Sequence, residues 1–163
     1  MRGQGTPRIL VLGLGNDLIS DDGVGLAAAR ALRPLLEGRA DVVESSMHGL
    51  ALLDLFIGYD CAVVLDAIVT GRKAPGTIRE ITTDELDAVV APSPHFAGFP
   101  EMLEVARRTG MRFPADVRIL AVEVSDAHTI REGLCAPVRA AIEPLVARTA
   151  VLVDGWLDRQ PTK

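Results

Sequence analysis

Two adjacent carboxylates, Asp21 and Asp22, close a glycine-rich stretch that runs Gly13-Leu14-Gly15-Asn16-Asp17-Leu18-Ile19-Ser20-Asp21-Asp22-Gly23-Val24-Gly25. Asp66 follows the apolar run Val63-Val64-Leu65, and His95 stands in Pro92-Ser93-Pro94-His95-Phe96. A carboxylate at the end of an apolar run needs a partner, because burying it unpaired is costly. Either it bonds a neighbouring loop or helix end, or it points into a crevice as a ligand or base. Asp22, Asp66 and His95 together offer two carboxylate oxygens and one imidazole nitrogen. That set suits a divalent transition ion such as nickel or zinc, with coordination positions left open. Having no thiolate and few ligands, such a site binds metal weakly by itself.

Plainer roles compete for the same residues. An aspartate at a helix start accepts a backbone N–H and contributes about 1 kcal/mol, so one of Asp21 and Asp22 is expected to cap the helix that follows. The prolines flanking Ser93 restrict the backbone and suit a side chain that must be held in place. His48 and His128 read as exposed loop histidines, although His48 lies near a strand end and so has a second reading as a metal or substrate contact.

The Gly13-x-Gly15 opening, with Glu44 as a ribose-binding acid, invites a different reading: a non-catalytic, Rossmann-like module for a nucleotide or other small molecule. The third glycine of that fingerprint is missing, since Leu18 occupies its place. The helix that would receive a pyrophosphate also begins with two aspartates, which already fill the positive field of its N-terminus and repel phosphate. No Gly-x-Ser-x-Gly elbow, His-Glu-x-x-His helix or Walker loop is present.

Seventeen basic and 22 acidic residues give a net charge of -5, and no Lys/Arg run exceeds Arg107-Arg108, which argues against a nucleic-acid partner. No apolar segment approaches the roughly 20 residues a membrane span requires, and the first residues lack a signal-peptide pattern. Cys61 and Cys135 are far apart and form no CxxC; Cys61 reads as a core residue. A reduced, cytoplasmic setting is expected.

The elements that must carry these side chains alternate. Continuous β-prone runs at Arg8–Leu12, Asp41–Glu44, Cys61–Leu65 and Asp116–Val124 suit strands buried on both faces, while the alternating Gly76–Ile81 suits an edge. Helical spacing appears in Gly23–Leu36, with Pro34 kinking or ending it, and more briefly in Gly49–Ile57 and Pro100–Thr109. Val138, Ile142, Leu145, Thr149, Leu152 and Trp156 mark a last helix starting at Pro137 and kinked at Pro144. The expected fold is an α/β three-layer sandwich with a mostly parallel, roughly five-stranded twisted sheet. It occupies residues 1–163 as one domain, with 1–7 and 159–163 loose. In such sheets, ligands bind outside the carboxyl ends of the strands.

With these residues assembled, the chain resembles the hydrogenase maturation endopeptidases. GLGNDLISDDGVG at 13–25, VVLDAIVTGRKAPGT at 63–77, SPH at 93–95 and GLCAPVRAAIEPL at 133–145 carry the resemblance. It implies an endopeptidase that removes the C-terminal extension of a nickel–iron hydrogenase large-subunit precursor after nickel insertion. It also implies that Asp22, Asp66 and His95 contact a nickel brought by the precursor. For the attack itself two routes stand open, a carboxylate acting as base toward water or the metal polarising the carbonyl, and the expectation is that Asp22 or Asp66 assists the water. The free enzyme is expected to hold nickel only weakly, and no feature of the sequence demands more than a monomer. Some relatives carry Glu where Asp22 stands, and some carry a glycine-rich turn where this chain has Ser46-Met47-His48-Gly49.

Overall fold

The strands that dominate the sequence pattern form the centre of the molecule in the computed structural model, which describes residues 5–88 and 93–159. The outermost parts of the expected loose ends, 1–4 and 160–163, and Pro92 of the proline-flanked loop lie outside the described residues. Five strands, β1 (Ile9–Leu14), β2 (Asp41–Ser45), β3 (Cys61–Ile68), β4 (Ile78–Thr82) and β5 (Asp116–Glu123), make one sheet in the order β2-β1-β3-β5-β4. All neighbours run parallel except β4, which pairs antiparallel with β5 at the edge, where its alternating sequence belongs.

Among the described residues, five α-helices cover the sheet: α1 (Val24–Leu35), α2 (Leu53–Phe56), α3 (Phe99–Thr109), α4 (Ala136–Ala140) and α5 (Ile142–Asp158). Because side chains alternate along a strand, each central strand serves two cores. Val63, Leu65 and Ala67 pack with Val24, Leu32, Val138, Leu145 and Trp156 of α1, α4 and α5. Ala62, Val64 and Ile68 face the opposite way, toward Phe56, Phe99 and Met102 of α2 and α3. The result is the expected three-layer arrangement.

The chain has only four phenylalanines, and all of them gather in the second layer. Phe99 meets Phe56 edge-on at 5.8 Å and Phe96 at 6.2 Å, while Phe113 stacks on Phe56 at 5.3 Å. Offset and edge-on pairs add to the gain from burial alone. Phe96 thereby anchors the segment that carries His95.

Four local expectations are corrected. Asp66 does not close its strand: β3 continues to Ile68, because β5 pairs with it as far as Glu123. Gly49–Ile57 is a 3-10 turn, Gly49–Leu52, leading into the single-turn α2. The last helix is interrupted rather than kinked: α4 ends at Ala140, and α5 restarts after Ala141 with Pro144 in its first turn. A proline costs little there, since first-turn N–H groups have no helical partner. Finally, neither Asp21 nor Asp22 caps α1. Both lie in a 3-10 turn, Ser20–Gly23, that precedes it, and the α1 start has no side-chain cap.

Candidate metal-binding active site

The parity of β3 decides where Asp66 points. Its even-numbered neighbours Val64 and Ile68 face the phenylalanine-rich layer, and Asp66 shares that face near the carboxyl end of the strand. There its Oδ1 accepts the Ala67 N–H at 2.8 Å, and its Oδ2 accepts the Ser93 hydroxyl at 2.7 Å. Ser93 also accepts the His95 N–H at 3.2 Å, and the Phe96 N–H donates to the Ser93 carbonyl at 3.1 Å. The short turn is thus tied to the strand.

Asp22 arrives from the glycine-rich loop. Gly15 has φ +151°, and a Cβ on it would strike the Asp22 carbonyl oxygen. A Cβ on Gly25 would strike the carbonyl oxygens of Leu14 and Leu65. The glycines therefore let the loop fold back on β1 and let α1 lie close to the sheet. Both glycines thus serve close approach of the protein's own backbone. Glu44, the candidate ribose acid, is instead paired with Arg30 and Arg33 at 2.8 Å each.

Asp22, Asp66 and His95 are 4%, 0% and 6% exposed, and each offers a ligand atom within 4.8 Å of the others. His95 Nδ1 lies 3.1 Å from the Met47 carbonyl oxygen. A carbonyl only accepts, so Nδ1 carries the proton, and Nε2 faces Asp22 Oδ2 at 3.5 Å. This is the usual arrangement of a metal-ligating histidine, with the outer nitrogen donating to a backbone carbonyl. Among the described residues, Asp22 Oδ1 is the buried side-chain oxygen or nitrogen without a hydrogen-bond partner. A buried carboxylate oxygen left bare, on a carboxylate whose other oxygen faces an imidazole, is what an ion, or the proton of a water, would satisfy. The three residues fit a divalent ion.

Electrostatics agree with that use. Burial pushes the Asp66 carboxyl up to about 7, against the opposing pull of His95 and the hydrogen bonds from Ser93 and Ala67. For His95, burial works against the imidazolium, but the bond to Asp22, the charge of Asp66 and the Met47 carbonyl prevail and raise it to about 9. Without a metal, the imidazolium of His95 is the positive charge that the two carboxylates favour.

Around the cluster, three groups have tethering roles that the sequence did not assign to them. Asp21 Oδ1 accepts the Cys135 N–H at 2.7 Å. Ser20, at φ +36°, donates its N–H to the Arg131 carbonyl at 2.7 Å and accepts the Arg131 guanidinium at 2.9 Å. Glu123, 1% exposed, accepts from Thr70 N, Thr70 Oγ1 and Gly71 N at 2.7, 2.7 and 2.9 Å. Asp21 had the signal of its paired carboxylates and Glu123 that of a charge inside an apolar run, like Asp66, while Ser20 had none. His48 and His128 are exposed and stand outside the cluster. Cys61 is half-buried at the start of β3, with its thiol pushed up to about 11 chiefly by burial.

The fold and the cluster together define a class: an α/β protein with a carboxylate–imidazole site, able to hold a metal ion, at the carboxyl end of a mostly parallel sheet. Comparison with known proteins narrows it. The HycI family model, described as hydrogenase maturation protease, matches residues 27–151. The Escherichia coli K12 hydrogenase 2 maturation protease is 33% identical over 159 residues, covering 94% of this chain and 96% of its own. A solved structure of the E. coli hydrogenase maturating endopeptidase HybD superposes with a TM-score of 0.77 at 30% identity, over 91% of this chain and 93% of that one. The HybD maturation protease of Thermococcus kodakarensis gives a TM-score of 0.71 at 26% identity, covering 90% and 99%. This chain belongs to the hydrogenase maturation protease family. It is an endopeptidase, a hydrolase of hydrogenase maturation.

Proposed function

We propose that this chain removes the C-terminal extension of a nickel–iron hydrogenase large-subunit precursor, reading the nickel that the precursor carries through Asp22, Asp66 and His95. The observation that carries the metal reading is the bare, buried Oδ1 of Asp22, whose other oxygen, Oδ2, faces His95 Nε2. Two carboxylates and one imidazole are too few and too hard to retain nickel firmly, but they can complete the shell of an ion already held by a substrate's thiolates. Docking then depends on whether the precursor has been loaded.

In the cleavage step, water adds to the scissile carbonyl and gives its proton to a carboxylate; that proton then leaves with the departing amine as the C–N bond breaks. Asp22 is the better base, because Oδ1 is free while both Asp66 oxygens already accept hydrogen bonds. Asp66, with its carboxyl near 7, is the second group able to hold the proton. Exposed Leu18, Met47, Leu50, Val69 and Ile130 stand on loops that leave the carboxyl ends of β1, β2, β3 and β5. An apolar rim of this kind suits a protein substrate.

The enzyme works as one domain and as a monomer in the cytoplasm, where the precursor is made. Among the described residues no helix is long and apolar enough to cross a membrane. Incubating the protein with a large-subunit precursor, with and without nickel, and weighing the products by mass spectrometry tests the reading. Nickel-dependent loss of a C-terminal peptide is expected, and an uncut precursor under both conditions overturns it.

A further inference from the structure

Ser93 occupies a junction that the reaction, as set out above, does not use. It is 1% exposed, and its hydroxyl links two groups of the cluster. The Asp66 carboxylate accepts, and the His95 backbone N–H only donates. The single hydroxyl proton therefore goes to Asp66 Oδ2 at 2.7 Å, and a lone pair of Oγ takes the His95 N–H at 3.2 Å.

We propose that Ser93 is a positioning residue, whose hydroxyl fixes the plane of the Asp66 carboxylate and the placement of His95 relative to it. With Oδ1 held by Ala67 N–H and Oδ2 by Ser93, rotation of the Asp66 carboxylate is blocked at both ends. Its remaining lone pairs keep a constant aim toward Asp22 and His95. A serine that merely closed a turn would need only to accept the His95 N–H. The proton donated across 27 residues to β3 is not required for that turn, and it is what couples strand to loop.

Groups that orient metal ligands in this way typically contribute about 10–100-fold in affinity or activity. The inference rests on the reading of Asp66 and His95 as groups that meet the substrate's metal.

The test compares the full chain with Ser93→Ala and Ser93→Thr, the second keeping a hydroxyl. Three quantities are read: Ni2+ binding to the free protein by calorimetry, the His95 imidazole NMR signals without added ion, and kcat and KM for a nickel-loaded precursor. Ser93→Ala should weaken Ni2+ binding by about 10-fold or more, move the imidazole signals and raise KM, while Ser93→Thr returns all three toward wild type. A folded Ser93→Ala protein with unchanged imidazole signals and unchanged Ni2+ binding overturns the proposal, as does a folded Ser93→Thr protein no better than Ser93→Ala. Failure of the wild-type protein to cut the precursor would count against the proposed function instead, and the imidazole signals of the three ion-free proteins would still decide the role of Ser93.

Discussion

Asp22 Oδ2 lies 3.5 Å from His95 Nε2, while the other oxygen of the same carboxylate is buried with no partner. One side of Asp22 thus holds the imidazole, and the other is available to metal or water. Asp22→Asn keeps the shape but removes the charge and the base. Cleavage should fall at least about 100-fold, the lower range for loss of a general base. The melting temperature should also fall near neutral pH, because Asp22 is the partner that holds the His95 imidazolium. Mass spectrometry of the precursor and a thermal melt check the two halves.

Stability should decline with rising pH. His95 is raised from 6.5 to about 9, so its contribution is complete below 6.5 and is lost as pH climbs through about 9. Asp66 is raised from 3.8 to about 7, so its contribution is complete below 3.8 and is lost as pH climbs through about 7. The ion-free protein should therefore melt at a lower temperature at pH 9 than at pH 6.5, and His95→Ala should flatten that slope. Calorimetry across the range would show it.

Metal binding should run the opposite way. An ion displaces the protons of His95 and Asp66 and so binds more tightly as they are lost. Ni2+ affinity of the free protein should rise between pH 6 and pH 9. A flat profile would show that these two groups are not ligands.

Gly15→Ala should damage the site from outside it. The added Cβ meets the Asp22 carbonyl oxygen, and the backbone at φ +151° disfavours it as well. A loss of about 1–3 kcal/mol is expected, together with weaker Ni2+ binding, since Asp22 must shift. Chemical denaturation and calorimetry read these separately.

Glu123→Ala should free the loop after β3. Thr70 N, Thr70 Oγ1 and Gly71 N would lose their acceptor; because Thr70 is half-buried and Gly71 exposed, water can replace it, and a loss of about 0.5–1.5 kcal/mol is expected. Hydrogen exchange at Thr70 and Gly71 should accelerate while the amides of β1 stay protected.

The strands were legible because uninterrupted runs such as Ile9–Leu12 have few other uses. The end of β3 was not, because Asp66 looks like a stop until β5 is seen to pair with it through Glu123. The same doubly buried run conceals parity, so nothing in Val63-Val64-Leu65 says which layer Asp66 faces. Asp22, Asp66 and His95 were found by residue type and by the strand-end rule, and the fold brings them together. Asp21 was misread because its partner, the Cys135 N–H, lies 114 residues away, and a local pattern offers only a helix cap. Ser93 was visible as a residue held between prolines, but the direction of its hydroxyl depends on β3.

The sheet order has a consequence for the timing of assembly. β4 bonds only to β5, and β3 gains its second neighbour from β5 as well. On the ribosome, the strand bearing Asp66 emerges early but stays open on one edge until Asp116–Glu123 has been made. Until then β3 has an unpaired edge beside Asp66, so the strand that presents this carboxylate to Asp22 and His95 is fixed on both sides only when the last strand is in place.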